Sequence, residues 1–208
     1  MTQTAKSSQQ LRIIAGKWRH RKINFYAGAG ARPTLDRIRE TLFNWLQPYI
    51  ANSNCLDLFA GSGILGIEAL SRGANSACFM ENQAEAIKTI KSAINTLDAE
   101  PETSSTQSSS DLTRGSRKNY YTNNLPQGLS QLSSKFNIIF LDPPYHTNLL
   151  QQTLDTILKL RLLDNNGVVY FEAGKKDDIN FSDWKVLKHK ATKSLQYGLL
   201  TISGNQNS

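Results

Sequence analysis

The chain has 208 residues, of which 39% are hydrophobic and 20% charged, with a formal net charge of +7 and two cysteines. At this length folding buries roughly 70% of the unfolded chain's surface, enough for a core without disulfides or metal. No apolar run reaches the ~20 residues that span a bilayer, and Met1 to Gln10 lacks the apolar centre of a secretory signal, so we expect a cytoplasmic protein with Cys55 and Cys78 reduced in its core.

Residues 1–35 carry Lys6, Arg12, Lys17, Arg19, Arg21, Lys22 and Arg32 with no acidic residue, while the rest of the chain balances 17 basic against 17 acidic residues. A basic arm on a neutral body suits a phosphate backbone. A solvated tail would carry the same charge, but it has no use for the interleaved Ile13, Ile14, Trp18, Ile23, Phe25 and Tyr26. The segment is therefore predicted to fold as a hairpin turning near Gly16 and Lys17, with 1–32 as an arm and 33–208 as the main domain. A second basic cluster, Lys185, Lys188, Lys190 and Lys193, is read as one face of a late strand pair or as ordinary surface.

Leu35, Ile38, Leu42, Trp45 and Leu46 mark a helix capped by Thr34 and ended by Pro48. A strand follows (Cys55 to Phe59), then the turn Ala60-Gly61-Ser62-Gly63, a helix from Ile64 to Arg72, a strand from Ser76 to Met80 and a helix from Ala84 to Leu97. Residues 101–116, rich in Ser and Thr, read as a flexible surface insertion. Beyond it we expect strands at Asn119 to Thr122 and Phe136 to Leu141, then a helix from Leu149 to Leu163. Asn165-Asn166-Gly167 is expected to turn into a strand from Val168 to Glu172, and the hairpin from Trp184 to Ile202 to turn near Tyr197 and Gly198. The alternation from 54 to 172 specifies an α/β fold: a Rossmann-like, doubly wound, mainly parallel sheet with a C-terminal antiparallel hairpin. Ligands in such sheets sit beyond the carboxyl ends of the strands.

Gly61-Ser62-Gly63-Ile64-Leu65-Gly66 fits G-x-G-x-x-G between a strand and a helix, and Glu81 closes the next strand, where a carboxylate takes ribose hydroxyls. The turn accepts either a pyrophosphate or a zwitterionic amino acid. Asp57 would repel the first and meet the ammonium of the second, so electrostatics favours S-adenosylmethionine over a dinucleotide. Asp142-Pro143-Pro144-Tyr145 follows a buried strand. Its prolines stiffen the corner and remove two N–H donors, leaving carbonyls and the Asp142 carboxylate as acceptors beside a flat aromatic ring. That set suits a planar base with an exocyclic amine, flipped from its stack. The nitrogen would attack an already activated methyl group, so the work is alignment and electrostatics.

Arg32-Pro33-Thr34-Leu35-Asp36-Arg37-Ile38-Arg39-Glu40-Thr41-Leu42-Phe43, Leu56-Asp57-Leu58-Phe59-Ala60-Gly61-Ser62-Gly63 and Asp142-Pro143-Pro144-Tyr145 closely resemble the RsmD-type bacterial methyltransferases, which modify one guanine of 16S ribosomal RNA at N2. The resemblance runs from about Leu11 to Ile202 and departs from the family pattern at Leu35, where a second threonine is expected. It implies that Asp57, Phe59, Ala60, Gly61, Ser62, Gly63 and Glu81 bind the cofactor, that Asn124 approaches its adenine, and that Asp142 to Tyr145 hold the guanine. Arg32, Thr34 and Arg37 would line the mouth. The implied partner is small-subunit ribosomal RNA, free or in an assembling subunit; the sequence itself, with no long apolar heptad seam and no bilayer-length apolar run, leads us to expect a monomer away from any membrane.

Three readings compete with guanine-N2 transfer. The Asp-Pro-Pro-Tyr corner serves an adenine-N6 methyltransferase on DNA equally well, although no further domain large enough to read a DNA sequence is present. The glycine turn alone suits a nicotinamide-dependent oxidoreductase. A non-catalytic RNA-binding module would not need both motifs intact. His20, His146 and His189 are scattered and, with two separated cysteines, give no metal-ligand spacing.

Overall fold

The computed structural model describes residues 9–26, 36–99 and 117–204. Arg32, the Thr34 cap and the Ser/Thr-rich insertion fall outside the described residues. The basic arm forms a hairpin as read, with β1 (Gln9–Arg12) antiparallel to β2 (Lys22–Phe25) and Arg12 opposite Lys22. Alternation sends Ile23 and Phe25 inward and Lys22 and Asn24 to solvent. The connecting loop is seated on the next helical layer. Glu68, fully buried, accepts the Ile14 and Ala15 amides at 2.8 and 2.9 Å and pairs with Arg72 at 2.7 Å, while the Ser71 hydroxyl accepts the Trp18 amide at 3.0 Å.

Ile38, Leu42, Leu46 and Ile50 recur every fourth residue and give α1 (Asp36–Ile50) one buried stripe. Pro48 does not end this helix. Lodged in the last turn, it forfeits only its own N–H bond, and Ile50 beyond it still packs into the core. There follow β3 (Asn54–Leu58), α2 (Ile64–Ser71), β4 (Ser76–Glu81), α3 (Ala84–Ala99), β5 (Arg117–Thr122), β6 (Phe136–Leu141), α4 (Leu149–Leu160), β7 (Leu163–Gly174), β8 (Trp184–Ala191) and β9 (Leu195–Ile202).

Seven strands form one sheet in the order β5-β4-β3-β6-β7-β9-β8, parallel from β5 to β7, with β9 antiparallel to both its neighbours. Successive residues of the central strands feed opposite cores. Cys55, Ile138 and Tyr170 join the side covered by α1, α2, α3 and the hairpin, whereas Leu56, Ile139 and Phe171 join the α4 side. Burial on both faces explains the unbroken apolar runs. Both cysteines are buried free thiols, Cys55 on β3 and Cys78 on β4, pushed up to about 12 chiefly by burial.

Besides Pro48 and shifts of one or two residues at element ends, three features differ from the sequence reading. α4 stops at Leu160, where Arg161 turns left-handed at φ 53°. Asn165-Asn166-Gly167 is a bulge inside β7 and not a separate turn: between the pairs Phe136–Leu163 and Ile138–Val168, β7 advances five residues against two on β6. The last hairpin turns at 192–194, closed by the Thr192 amide donating to the Leu195 carbonyl at 2.7 Å. Gly198 lies within β9, where a Cβ would sit 2.4 Å from the Lys188 carbonyl oxygen, so close strand approach, not a turn, calls for glycine there.

Candidate functional site

β3 and β6 are neighbours in the sheet although the chain visits β4 and β5 between them, so connections diverge to either side and leave a crevice above the paired ends. The partners Leu58 and Leu141 bring the glycine turn and the Asp-Pro-Pro-Tyr corner to one rim. A cavity of about 720 Å³ opens there, within the range of small-molecule sites. Asp57, Phe59, Ala60, Gly61, Ser62, Glu81 and Asn124 line it together with Asp142, Pro143, Pro144 and Tyr145. Gly63 does not line it. It caps α2 at φ 71° and packs against Ile90.

The turn is braced by carboxylates from two strands. Glu81 accepts the Gly61 amide at 2.9 Å through one oxygen and those of Asn82 and Gln83 at 2.8 and 3.1 Å through the other. Asp57 accepts the Gly66 amide at 2.9 Å. Burial pushes the Asp57 carboxyl up to about 7, with the Gly66 bond opposing and the Glu81 charge adding. At Gly61, φ is 50° and an added Cβ would meet nothing nearer than the Phe59 carbonyl oxygen at 3.8 Å, so glycine serves the backbone conformation while leaving the wall bare. Asn124 is exposed on the wall, its carbonyl accepting the Gly128 amide at 2.8 Å.

At the corner, Pro143 is buried and Pro144 exposed, the latter's carbonyl accepting the Thr147 hydroxyl at 2.7 Å. The Tyr145 hydroxyl turns away from solvent and donates to Glu172 on β7 at 3.2 Å, while the Tyr170 hydroxyl donates to the other Glu172 oxygen at 2.7 Å. Burial, then the Glu172 charge and its hydrogen bond, then the Asp142 charge raise the Tyr170 phenol well above its usual range. His146, next in the chain, stands at the cavity wall with φ 61° and pairs with Asp177 at 2.9 Å.

Glu172 and Tyr170 escape sequence reading, as do Phe25, Asn123 and Leu125 among the lining residues. For Glu172 one local signal exists: a charge within an otherwise apolar buried strand. The basic residues lie apart from the cavity. Arg12, Lys17, Arg19 and Lys22 are exposed on the hairpin and Arg37 on α1. Arg21 instead donates to the Thr96 and Leu97 carbonyls at the end of α3, at 3.3 and 3.1 Å.

This sheet order, with a glycine turn after β3 and an Asp-Pro-Pro-Tyr corner after β6, defines the α/β methyltransferase fold. The Thermus thermophilus 16S rRNA N2 G1207 methyltransferase shares it at 14% identity and a TM-score of 0.63, over 92% of this chain and 49% of that one. Residues 11–201 match the family described as Conserved hypothetical protein 95, and the chain belongs to that RsmD-type family. Its relatives include the Ribosomal RNA small subunit methyltransferase D of Haemophilus influenzae, 40% identical over 95% of this chain and 96% of that one, and that of Escherichia coli, 34% identical over 92% and 90%. The solved Escherichia coli protein yhhF superposes with a TM-score of 0.77 at 34% identity, over 93% of this chain and 98% of that one.

Proposed function

We propose that this protein transfers a methyl group from S-adenosylmethionine to the exocyclic N2 of a guanine in small-subunit ribosomal RNA, acting as a cytoplasmic monomer. The observation that carries the reading is the single cavity shared by the glycine turn and the Asp142–Tyr145 corner. The donor set fits the cofactor: Glu81 would take its ribose hydroxyls, Asp57 its ammonium directly or through water, and Asn124 its adenine, with the Phe59 to Gly63 backbone passing close by. When bound, the cofactor would supply an activated methyl group on a sulfonium, which the guanine nitrogen's lone pair would take as the S–C pair stays on sulfur and the nitrogen's surplus proton goes to solvent.

The chain's own residues supply position. Asp142 would accept from the exocyclic NH₂, holding the nitrogen so that its lone pair points across the cavity. The Tyr145 ring would stack on the base, offsetting the few kcal/mol needed to flip it out. Arg12, Lys17, Arg19, Lys22 and Arg37, together with Arg32 from the sequence reading, would meet phosphates. Arg21 contributes to seating the hairpin, since its guanidinium is held by α3.

Methyl transfer to deproteinised 16S RNA, to assembled small subunits and to DNA, followed by mapping of the product, tests the reading. We expect N2-methylguanine in one RNA position. Exclusive N6-methyladenine in DNA would replace it with the rival that shares this corner.

A further inference from the structure

We infer that Glu172 is a positioning residue for the target base, clamping the Tyr145 hydroxyl from beneath so that the ring's face, and not its polar tip, is offered to the cavity. The inference rests on the amino-methyl transfer proposed above and deepens it.

Glu172 is 1% exposed, near the end of the strand adjoining β6. The pair Leu141–Phe171 puts Asp142 and Glu172 one step further along the same register, where β6 has ended and β7 runs on to Gly174 beside β9. Its oxygens are shared between two phenols, Tyr170 two residues back on the same face and Tyr145 from the corner above. Around it stand Asp142, Tyr145, Tyr170 and Tyr197, its partner on β9. Taking a carboxylate out of water costs several kcal/mol unless hydrogen bonds compensate. Here the compensation comes from donors that themselves belong to, or lean on, the base-holding corner.

Two consequences follow. First, the Tyr145 hydroxyl is committed inward, so the ring edge cannot swing out to solvent without leaving Glu172 short of a donor. Base recognition then divides cleanly, with stacking by Tyr145 and amine acceptance by Asp142. Second, the attacked nitrogen gains positive charge as its bond to carbon forms. A buried carboxylate directly behind the corner, in a region of low dielectric, adds to the Asp142 field that favours this charge. Clamp and field act on the same step.

The test is a double-mutant cycle with Glu172→Gln and Tyr145→Phe, read on wild-type enzyme that methylates 16S RNA. Each single change should lower kcat roughly tenfold to a hundredfold with KM for RNA little changed and S-adenosylhomocysteine affinity intact. The double variant should be no slower than the slower single. Losses that multiply, or a Glu172→Gln enzyme of full rate, would overturn the clamp. A readout independent of activity is a second cycle on urea unfolding: Tyr145→Phe should destabilise the wild-type background and cost clearly less beside Glu172→Gln, and equal costs in the two backgrounds also overturn the clamp. Should wild-type protein methylate no nucleic acid, the functional reading fails while the unfolding cycle still decides the clamp. If Glu172→Gln does not fold, Tyr170→Phe and Tyr145→Phe carry the same comparison.

Discussion

A Cβ on Gly16 would lie 1.9 Å from the Ser71 carbonyl oxygen, so the hairpin loop is pressed directly onto the end of α2. Gly16 also holds φ at 84°, a conformation that side chains disfavour. Together with the Lys17 amide donating to that same carbonyl at 2.8 Å, this contact fixes where the basic arm sits relative to the cavity. Gly16→Ala should therefore cost roughly 1–3 kcal/mol and unseat the loop. Urea unfolding gives the first number. A red shift in emission dominated by Trp18, buried at 4% exposure, reports the second in a variant lacking Trp45 and Trp184. A variant as stable as the parent, with Trp18 still buried, would show that the loop tolerates the displacement.

Neutralising Lys17, Arg19 and Lys22 should weaken RNA binding and flatten its salt dependence. Each lost phosphate contact removes about 0.7–0.9 from the slope of log K against log salt. Replacing Arg21 should behave differently: its guanidinium is spent on the α3 carbonyls, so stability falls more than the slope does. Filter binding across a salt series, paired with thermal unfolding, separates the two kinds of residue. Equal slopes for parent and triple variant would take the arm out of the RNA footprint.

The glycine turn and the Asp-Pro-Pro-Tyr corner were legible because each is a contiguous string at a strand end, where backbone chemistry announces itself locally. Their convergence was legible too, since alternating strands and helices dictate a parallel sheet with a switch point. Glu172 was not. Its place under Tyr145, 27 residues earlier, depends on how β7 registers against β6 across the bulge at 165–167, and nothing local encodes that offset. The helix signal at Pro48 misled for a related reason: burial of Ile50 outweighs one missing hydrogen bond. Gly198 looked like punctuation, yet its role is to let Lys188 and Phe171 approach.

Asp142→Ala should reduce methyl transfer roughly a hundredfold or more while leaving S-adenosylhomocysteine binding nearly intact, because Asp142 lines the cavity from the corner proposed to hold the amine, whereas the cofactor's proposed contacts come from β3, β4 and the β5 end. Calorimetry for binding and tritium transfer to RNA for activity resolve the pair. Full activity in the variant would remove Asp142 from the chemistry, and lost binding would move it to the cofactor.

Asp57 yields a prediction in pH. Its carboxyl stands at about 7 in the folded protein against an ordinary 3.8, raised first by burial. The folded state thus keeps a proton that the unfolded state has already released. The stability this contributes is fully present below about 3.8 and is lost as pH climbs toward about 7. Asp57→Asn, which can still accept the Gly66 amide, should flatten the urea-unfolding free energy across that window. A ligand bringing an ammonium beside Asp57 favours the charged form and pulls the value down. Binding of S-adenosylhomocysteine should accordingly release protons at pH 6, release fewer at pH 8, and tighten as pH rises to about 7. Calorimetry in buffers of differing ionisation enthalpy measures that release. Proton uptake in place of release, or the same release from Asp57→Asn, would mean that the ammonium is met elsewhere.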